Sequence, residues 1–250
     1  MTPGGIALVT GAGRGIGAAT AVLAAERGHA VAVNYVHDEA AAASVVERCT
    51  SLGARAIAIQ ADVGEEADVL RMFDTVASEL GALSLLVNNA GILEHQMRFE
   101  EMSVQRWERV LRTNVVGSFL CAREAVRRMS TRFGGAGGAI VNVSSAASYI
   151  GSPEEYVDYA ASKAAIDTMT IGLGKEVAAD GIRVNAVRPG VIRTDIHASG
   201  GEPGRVDRVA VGVPLQRGGE PSEVANTIMW LASDEASYIT ATTVNCSGGR

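Results

Sequence analysis

The chain has 250 residues, 47% apolar and 20% charged, and its 22 basic and 28 acidic side chains give a formal charge of −6. These proportions suit a globular protein and exclude a disordered one, and the acidic balance removes the electrostatic case for nucleic-acid binding. The 40 alanines and 29 glycines, against 4% aromatics, predict a core of small side chains whose backbones approach one another and their ligands closely.

Cys49, Cys121 and Cys246 are far apart and form no C-x-x-C pair, so neither a disulfide framework nor a zinc site is expected. His29, His37, His95 and His197 lack metal-ligand spacing, and no metal is expected. Residues 1–5 carry no basic leader and the apolar run that follows is short, so the expectation is a cytoplasmic protein with no membrane partner.

In chain order, apolar runs at 6–9, 30–33, 55–59 and 83–87 alternate with helical stretches at 15–27, 39–52 and 66–80. Gly28, Gly53 and Gly81 follow the three helices, in the position where a left-handed cap favours glycine. The second half continues with a long helix at 103–132, a strand at 139–143, a helix at 155–179 closed by Gly181, and a strand at 182–187. Residues 194–212, rich in Gly, Pro and charge, read as a mobile substrate loop with little fixed structure. Pro221 opens a last helix, and 238–245 is the final strand. Strand, helix and glycine recur about every 25 residues, the rhythm of βαβ units and a parallel sheet. No change in composition divides the chain, so a single domain over 1–250 is expected.

The first strand runs into Thr10-Gly11-Ala12-Gly13-Arg14-Gly15-Ile16-Gly17, and a helix follows. Small residues there let the main chain touch a pyrophosphate, and the helix N-terminus offers free N–H groups. Either Gly13, Gly15 and Ala18 or Gly11, Gly15 and Gly17 satisfy a dinucleotide spacing. Cofactor choice falls at the tip of the second strand, about 20 residues further on, where an acidic residue would bind the ribose hydroxyls of NAD. Here Asn34 and Tyr35 stand at the tip, and Arg14 in the loop is able to reach a 2′-phosphate. The reading is NADP(H) before NAD, although Asp38 lies close by.

Tyr159 and Lys163 are four residues apart in a helical stretch and share one face. A phenol with a pKa of about 10 is a poor catalyst at neutral pH, and bringing it to neutrality takes about 4 kcal/mol, which nearby cations in a dry cleft supply. Alone, the pair would read as a surface contact. However, Ser144-Ser145, Asn88-Asn89-Ala90-Gly91 and Pro189-Gly190 with Thr194 all follow strands at the same edge, where ligands bind in open α/β sheets. Asn114, unfavourable within a helix, reads as a water ligand.

Taken together, the TGAGRGIG loop at 10–17, Asp62-Val63, NNAG at 88–91, Asn114, Ser144-Ser145, YAASK at 159–163 and PG…T at 189–194 resemble the short-chain dehydrogenase/reductase family over the whole chain. The resemblance implies an α/β, doubly wound sheet of seven parallel strands with helices on both faces. It selects Gly11, Gly15 and Gly17 as the loop glycines. It implies that Asp62 and Val63 contact the adenine, that Asn89, Ala90 and Gly91 line the cofactor, and that Pro189, Gly190 and Thr194 meet its nicotinamide end. Tyr159 would be the acid–base, and Lys163 would lower its pKa and bind the ribose. Ser145, preferred over Ser144, would hold the substrate oxygen, and Asn114 a relay water. The implied partner is a small carbonyl or alcohol substrate, and the implied assembly a homotetramer. Similar families include 3-oxoacyl-carrier-protein reductases and glucose 1-dehydrogenases. A non-catalytic redox sensor on the same fold is the alternative from another class.

Overall fold

The computed structural model describes residues 5–250. Residues 1–4, read above as free of a basic leader, lie outside the described residues. Seven strands form one parallel sheet: β1 (Ile6–Val9), β2 (Ala30–Tyr35), β3 (Ala56–Gln60), β4 (Leu85–Asn88), β5 (Gly138–Val143), β6 (Ile182–Pro189) and β7 (Thr243–Cys246). Their order is β3-β2-β1-β4-β5-β6-β7, so the winding reverses between β1 and β4. Crossovers in opposite directions from that point leave a crevice at the carboxyl ends of the two strands.

Helices cover both faces. On one lie α1 (Gly15–Glu26), α2 (Glu39–Ser51) and α10 (Pro221–Ala232); on the other lie α3 (Glu66–Glu79), α5 (Gly117–Met129) and α7 (Val157–Glu176). Alternation within a strand decides which core a residue joins: Ala7 and Val9 pack with α1, and Leu8 packs with α3 and α5. The small residues of α1, Ala18, Ala21, Ala24 and Ala25, are buried against the sheet and α10. Among the described residues no helix is long and apolar enough to cross a membrane.

The expected caps are present. Gly28, Gly53, Gly81 and Gly181 all have positive φ, between 80° and 115°. Three elements differ from the sequence expectation. The single helix expected over 103–132 is α4 (Val104–Leu111), a π-helical turn at Arg112–Val116, and α5. The turn widens at Asn114, whose side chain is drawn out of the helical pattern by partners on other segments. The stretch 194–212 contains two short helices, α8 (Ile196–Ser199) and α9 (Arg205–Ala210). Its Gly and Pro residues conceal them, and α9 is held by ion pairs of Arg205 and Arg208 with the distant Glu155. The last strand begins only at Thr243, since Ala241 takes positive φ and Tyr238 is fully exposed. The remaining short helix, α6 (Ala147–Ile150), follows β5.

Candidate active site

A cleft of about 640 Å³ follows the crevice between β1 and β4, within the size range of small-molecule and cofactor sites. One end is made by the loop after β1. Gly11 and Gly15 have φ of 60° and 56°. A Cβ on Gly17 would come within 2.6 Å of the Gly11 carbonyl oxygen, whereas one on Gly13 would meet nothing closer than 3.7 Å. The geometry therefore selects Gly11, Gly15 and Gly17 as the constrained set, with Gly17 packed behind the cleft wall. The loop is fixed from β4: Asn89 donates through Nδ2 to the carbonyls of Thr10 and Gly11 at 2.8 and 3.0 Å. Thr10 in turn accepts from the N–H groups of Asn89 and Ala90.

Arg14, Gly15, Ile16, Tyr35, Asp62, Val63, Asn89, Ala90 and Gly91 line this end, as expected. Asn34 does not. Its side chain is wholly buried: Oδ1 accepts from Gly11 N–H at 3.0 Å, and Nδ2 donates to the carbonyls of Tyr35, Ile59 and Ala61. It braces the glycine loop from behind, because β2 runs two residues further than the apolar pattern marked and Tyr35 occupies the tip. Asp38 borders the cleft, but its carboxylate is engaged as the N-cap of α2, accepting from Ala41 N–H at 2.9 Å.

The other end brings together Ser145, Tyr159 and Lys163 with Pro189, Gly190 and Thr194. Thr194 approaches the glycine loop closely enough that a Cβ on Gly15 would lie 3.2 Å from its Cγ2. The two serines at the end of β5 are distinct. Ser144 is buried and donates to the carbonyl of Lys163 at 3.2 Å. Ser145 is only half-buried, accepts from Ala147 N–H at 3.1 Å, and reaches the Tyr159 hydroxyl. Lys163 is buried, donates from Nζ to the carbonyl of Val143 at 2.8 Å, and lies 5.6 Å from the centre of the Tyr159 ring.

Burial pushes the Tyr159 phenol up to about 12, against the downward pull of the Ser145 hydrogen bond and the Arg205 charge. Burial also draws Lys163 down to about 8. The expected depression of the tyrosine by Lys163 is thus not reached by the protein's own groups: desolvation outweighs their charges.

Asn114 stands behind the cleft wall. Its Oδ1 accepts from Ile92 N–H at 2.8 Å, and its Nδ2 donates to the Ile92 carbonyl and to Ser162 Oγ at 3.1 and 3.0 Å. The side chain holds the wall at Ile92 and, through Ser162, the helix that carries Tyr159 and Lys163. Glu154 and Glu155 both precede α7, and neither lines the cleft. Glu155 pairs with Arg205 at 2.6 Å and Arg208 at 2.9 Å. His95 does not reach the cleft, whereas Tyr156, His197 and Arg205 do. Sequence reasoning missed Arg106, which forms a buried bidentate pair with Asp158, because it reads as one charge among many on α4.

A phosphate-type glycine loop at the switch point and a Ser, Tyr and Lys set at the same sheet edge define a Rossmann-type oxidoreductase. The family described as Enoyl-(Acyl carrier protein) reductase matches residues 11–250. The uncharacterized oxidoreductase YgfF of Escherichia coli K12 is 58% identical over 245 residues, covering 98% of this chain and 99% of its own. The 3-oxoacyl-[acyl-carrier-protein] reductase FabG of Staphylococcus aureus is 40% identical, covering 97% and 96% of the two chains. A short chain dehydrogenase from Burkholderia cenocepacia, solved in complex with NADP, superposes with a TM-score of 0.90 at 33% identity, covering 99% and 98%. The chain belongs to the short-chain dehydrogenase/reductase family, oxidoreductases acting on CH–OH groups.

Proposed function

We propose that the protein is an NADP(H)-dependent carbonyl reductase or secondary-alcohol dehydrogenase, with Tyr159 as the acid–base. The observation that carries this reading is the meeting of Ser145, Tyr159 and Lys163 at one end of a cleft whose other end is the glycine loop. The cradle fits a dinucleotide: small residues leave the backbone open where a pyrophosphate would lie, and the N-terminus of α1 faces it. When bound, the nicotinamide supplies or accepts the hydride.

The chain's own residues do the rest. Ser145 holds the substrate oxygen by hydrogen bond, and Tyr159, protonated at neutral pH, donates to it. Lys163 stays fixed by Val143 beside the phenol and the ribose site. Thr194, Pro189 and Gly190 shape the nicotinamide end, and Asp62 and Val63 the adenine end. Asn114 keeps a positioning role. NADP(H) is favoured over NAD because Asp38 is spent as a cap and Arg14, exposed at the cleft, is free to meet a 2′-phosphate.

The test is a panel of ketones, aldehydes and sugars followed by NADPH and NADH absorbance, with Tyr159→Phe as the control. Turnover is expected with NADPH preferred, and Tyr159→Phe should lose about 100-fold or more in kcat, as for removal of a general acid. A variant with full activity would sink the mechanism, and kcat/KM with NADH equal to that with NADPH would sink the cofactor assignment. A 3-oxoacyl thioester on a carrier protein is the second substrate reading, favoured by the FabG relative. Against it, Arg127 and Arg128 of α5 are already paired with Glu124, leaving less free positive charge for an acidic carrier. The glucose 1-dehydrogenase and redox-sensor readings have no observation of their own to favour them.

A further inference from the structure

This inference rests on the carbonyl-reductase reading of the cleft. In that reading Lys163 serves the phenol and the ribose site as a cation, yet it sits in the interior, where burial works against its charge. Its Nζ donates to the Val143 carbonyl at 2.8 Å, which supplies a dipole and not a counter-charge. The carboxylate that answers it lies outside the cleft.

Asp167 follows Lys163 by one turn of α7, so the two share a face. A helical side chain lies over the turn before its own Cα, which leans Asp167 towards Lys163. Both residues are almost wholly buried, at 7% and 4% exposure. They also end on neighbouring rungs of the sheet. Val143, which holds Lys163, is paired with Val187 of β6. The next residue of β6, Arg188, donates from Nε to Asp167 Oδ2 at 2.9 Å. The second oxygen, Oδ1, is buried and has no hydrogen-bond partner among the described residues. Such an oxygen is costly to bury unless a positive charge lies near.

The other groups around Lys163 do not take this part. On α7 itself stands Tyr159, and α6 brings Tyr149, whose ring lies 5.5 Å from the Arg188 guanidinium. The Arg106 of α4 is matched to Asp158, and the Arg205 of α9 acts on Tyr159. Val143, Gly91 and Asn114, from β5, the loop after β4 and the π-helical turn, are uncharged. We propose that Asp167 is a positioning residue for the reaction: pinned by Arg188, its carboxylate holds Lys163 as an ammonium beside Tyr159 and the ribose site. The Asp167 charge opposes the burial that draws Lys163 down. Without it, Lys163 and Arg188 stand as two cations with no anion between them. An arginine does not give up its proton in a protein, so the lysine does.

The test has two arms on the full chain. The first is the pH profile of kcat/KM at saturating NADPH, with the fastest carbonyl compound of the panel above as probe. In Asp167→Asn the alkaline limb should fall about one pH unit lower than in the wild type, the size of shift an opposite charge produces. Asp167→Glu keeps the carboxylate and should keep the limb. Arg188→Met leaves the carboxylate to Lys163 alone and should move the limb the other way, which keeps the inference testable where Asp167→Asn does not fold. The second arm is urea unfolding and needs no substrate. The gain in stability with pH that Lys163 brings, read against Lys163→Met, should begin about one pH unit lower in the Asp167→Asn background.

With normal turnover in the wild type, a limb that stays in place in Asp167→Asn while kcat falls at every pH gives Asp167 a structural role and overturns the inference alone. A limb that moves as far in Asp167→Glu as in Asp167→Asn overturns it too, as does one that moves down in Arg188→Met. A urea onset that does not move also overturns it, because the charge on Lys163 would then not depend on Asp167. No turnover of any panel member by the wild type overturns the reading beneath and the inference with it.

Discussion

At the scale of single residues, the site shows how burial sets chemistry. Lys163 is drawn from 10.5 to about 8 by desolvation. The folded chain therefore releases that proton near pH 8, whereas an unfolded lysine holds it to about 10.4. Between these values the unfolded state binds more protons, so this residue makes stability rise with pH. Below about pH 8 the full cost of burying the cation is present, on the order of 3 kcal/mol. Tyr159 acts in the opposite sense, but only from about pH 10, where an unfolded tyrosine starts to ionise while the folded one, at about 12, does not. Urea unfolding of the wild type and Lys163→Met checks this: between about pH 7.5 and 9.5 the wild type should gain stability relative to the variant. A difference that stays flat across the range would contradict it.

At the scale of elements, the helix that carries Tyr159 and Lys163 is anchored by a charge pair rather than by its own cap. Arg106 of α4 meets Asp158, one residue before Tyr159, with Nε to Oδ2 at 2.6 Å and Nη2 to Oδ1 at 3.1 Å. The same guanidinium donates to the carbonyl of His95, and Asp158 Oδ1 also accepts from Tyr159 N–H at 2.9 Å. One side chain thus joins α4, the first turn of α7 and the loop after β4. Both members are almost wholly buried, at 5% and 3% exposure, so removing one leaves an uncompensated charge in the interior. Arg106→Leu should lose about 3–5 kcal/mol in denaturant unfolding, and replacing Asp158 by Leu as well should recover much of that loss. A loss under about 1 kcal/mol in the single variant would show that the pair holds nothing together.

At the scale of the whole molecule, the assembly is a proposal. The π-helical turn and α5 leave Val116 and Phe119 about half exposed, and α7 leaves Ile171 at 43%. Apolar side chains on outward helix faces are the surface a second copy would cover. A homotetramer is expected in solution at micromolar concentration, read by light scattering as four chain masses. A single chain mass at that concentration would refute it.

Much of this protein is determined by sequence alone, because local rules act over a few residues. A strand buried on both faces needs a continuous apolar run, and β1 appears at the residues that run occupies. Positive φ favours glycine, and Gly28, Gly53, Gly81 and Gly181 mark the ends of four helices in the sequence. The motif set marks Ser145, Tyr159 and Lys163 in the sequence, and the sheet brings them to one cleft. What tertiary structure alone decided lies where a side chain's partner is distant in the chain. Asn34, at the strand tip, looks like a cofactor contact until its bonds to Gly11 and Ala61 turn it inward. Asn114 looks like a helix fault until Ile92 and Ser162 account for it. In the segment 194–212, α9 is held by Glu155 from about 50 positions earlier in the chain. Periodicity and propensity report the next few residues; a hydrogen bond across 20 or 50 positions leaves no mark on either.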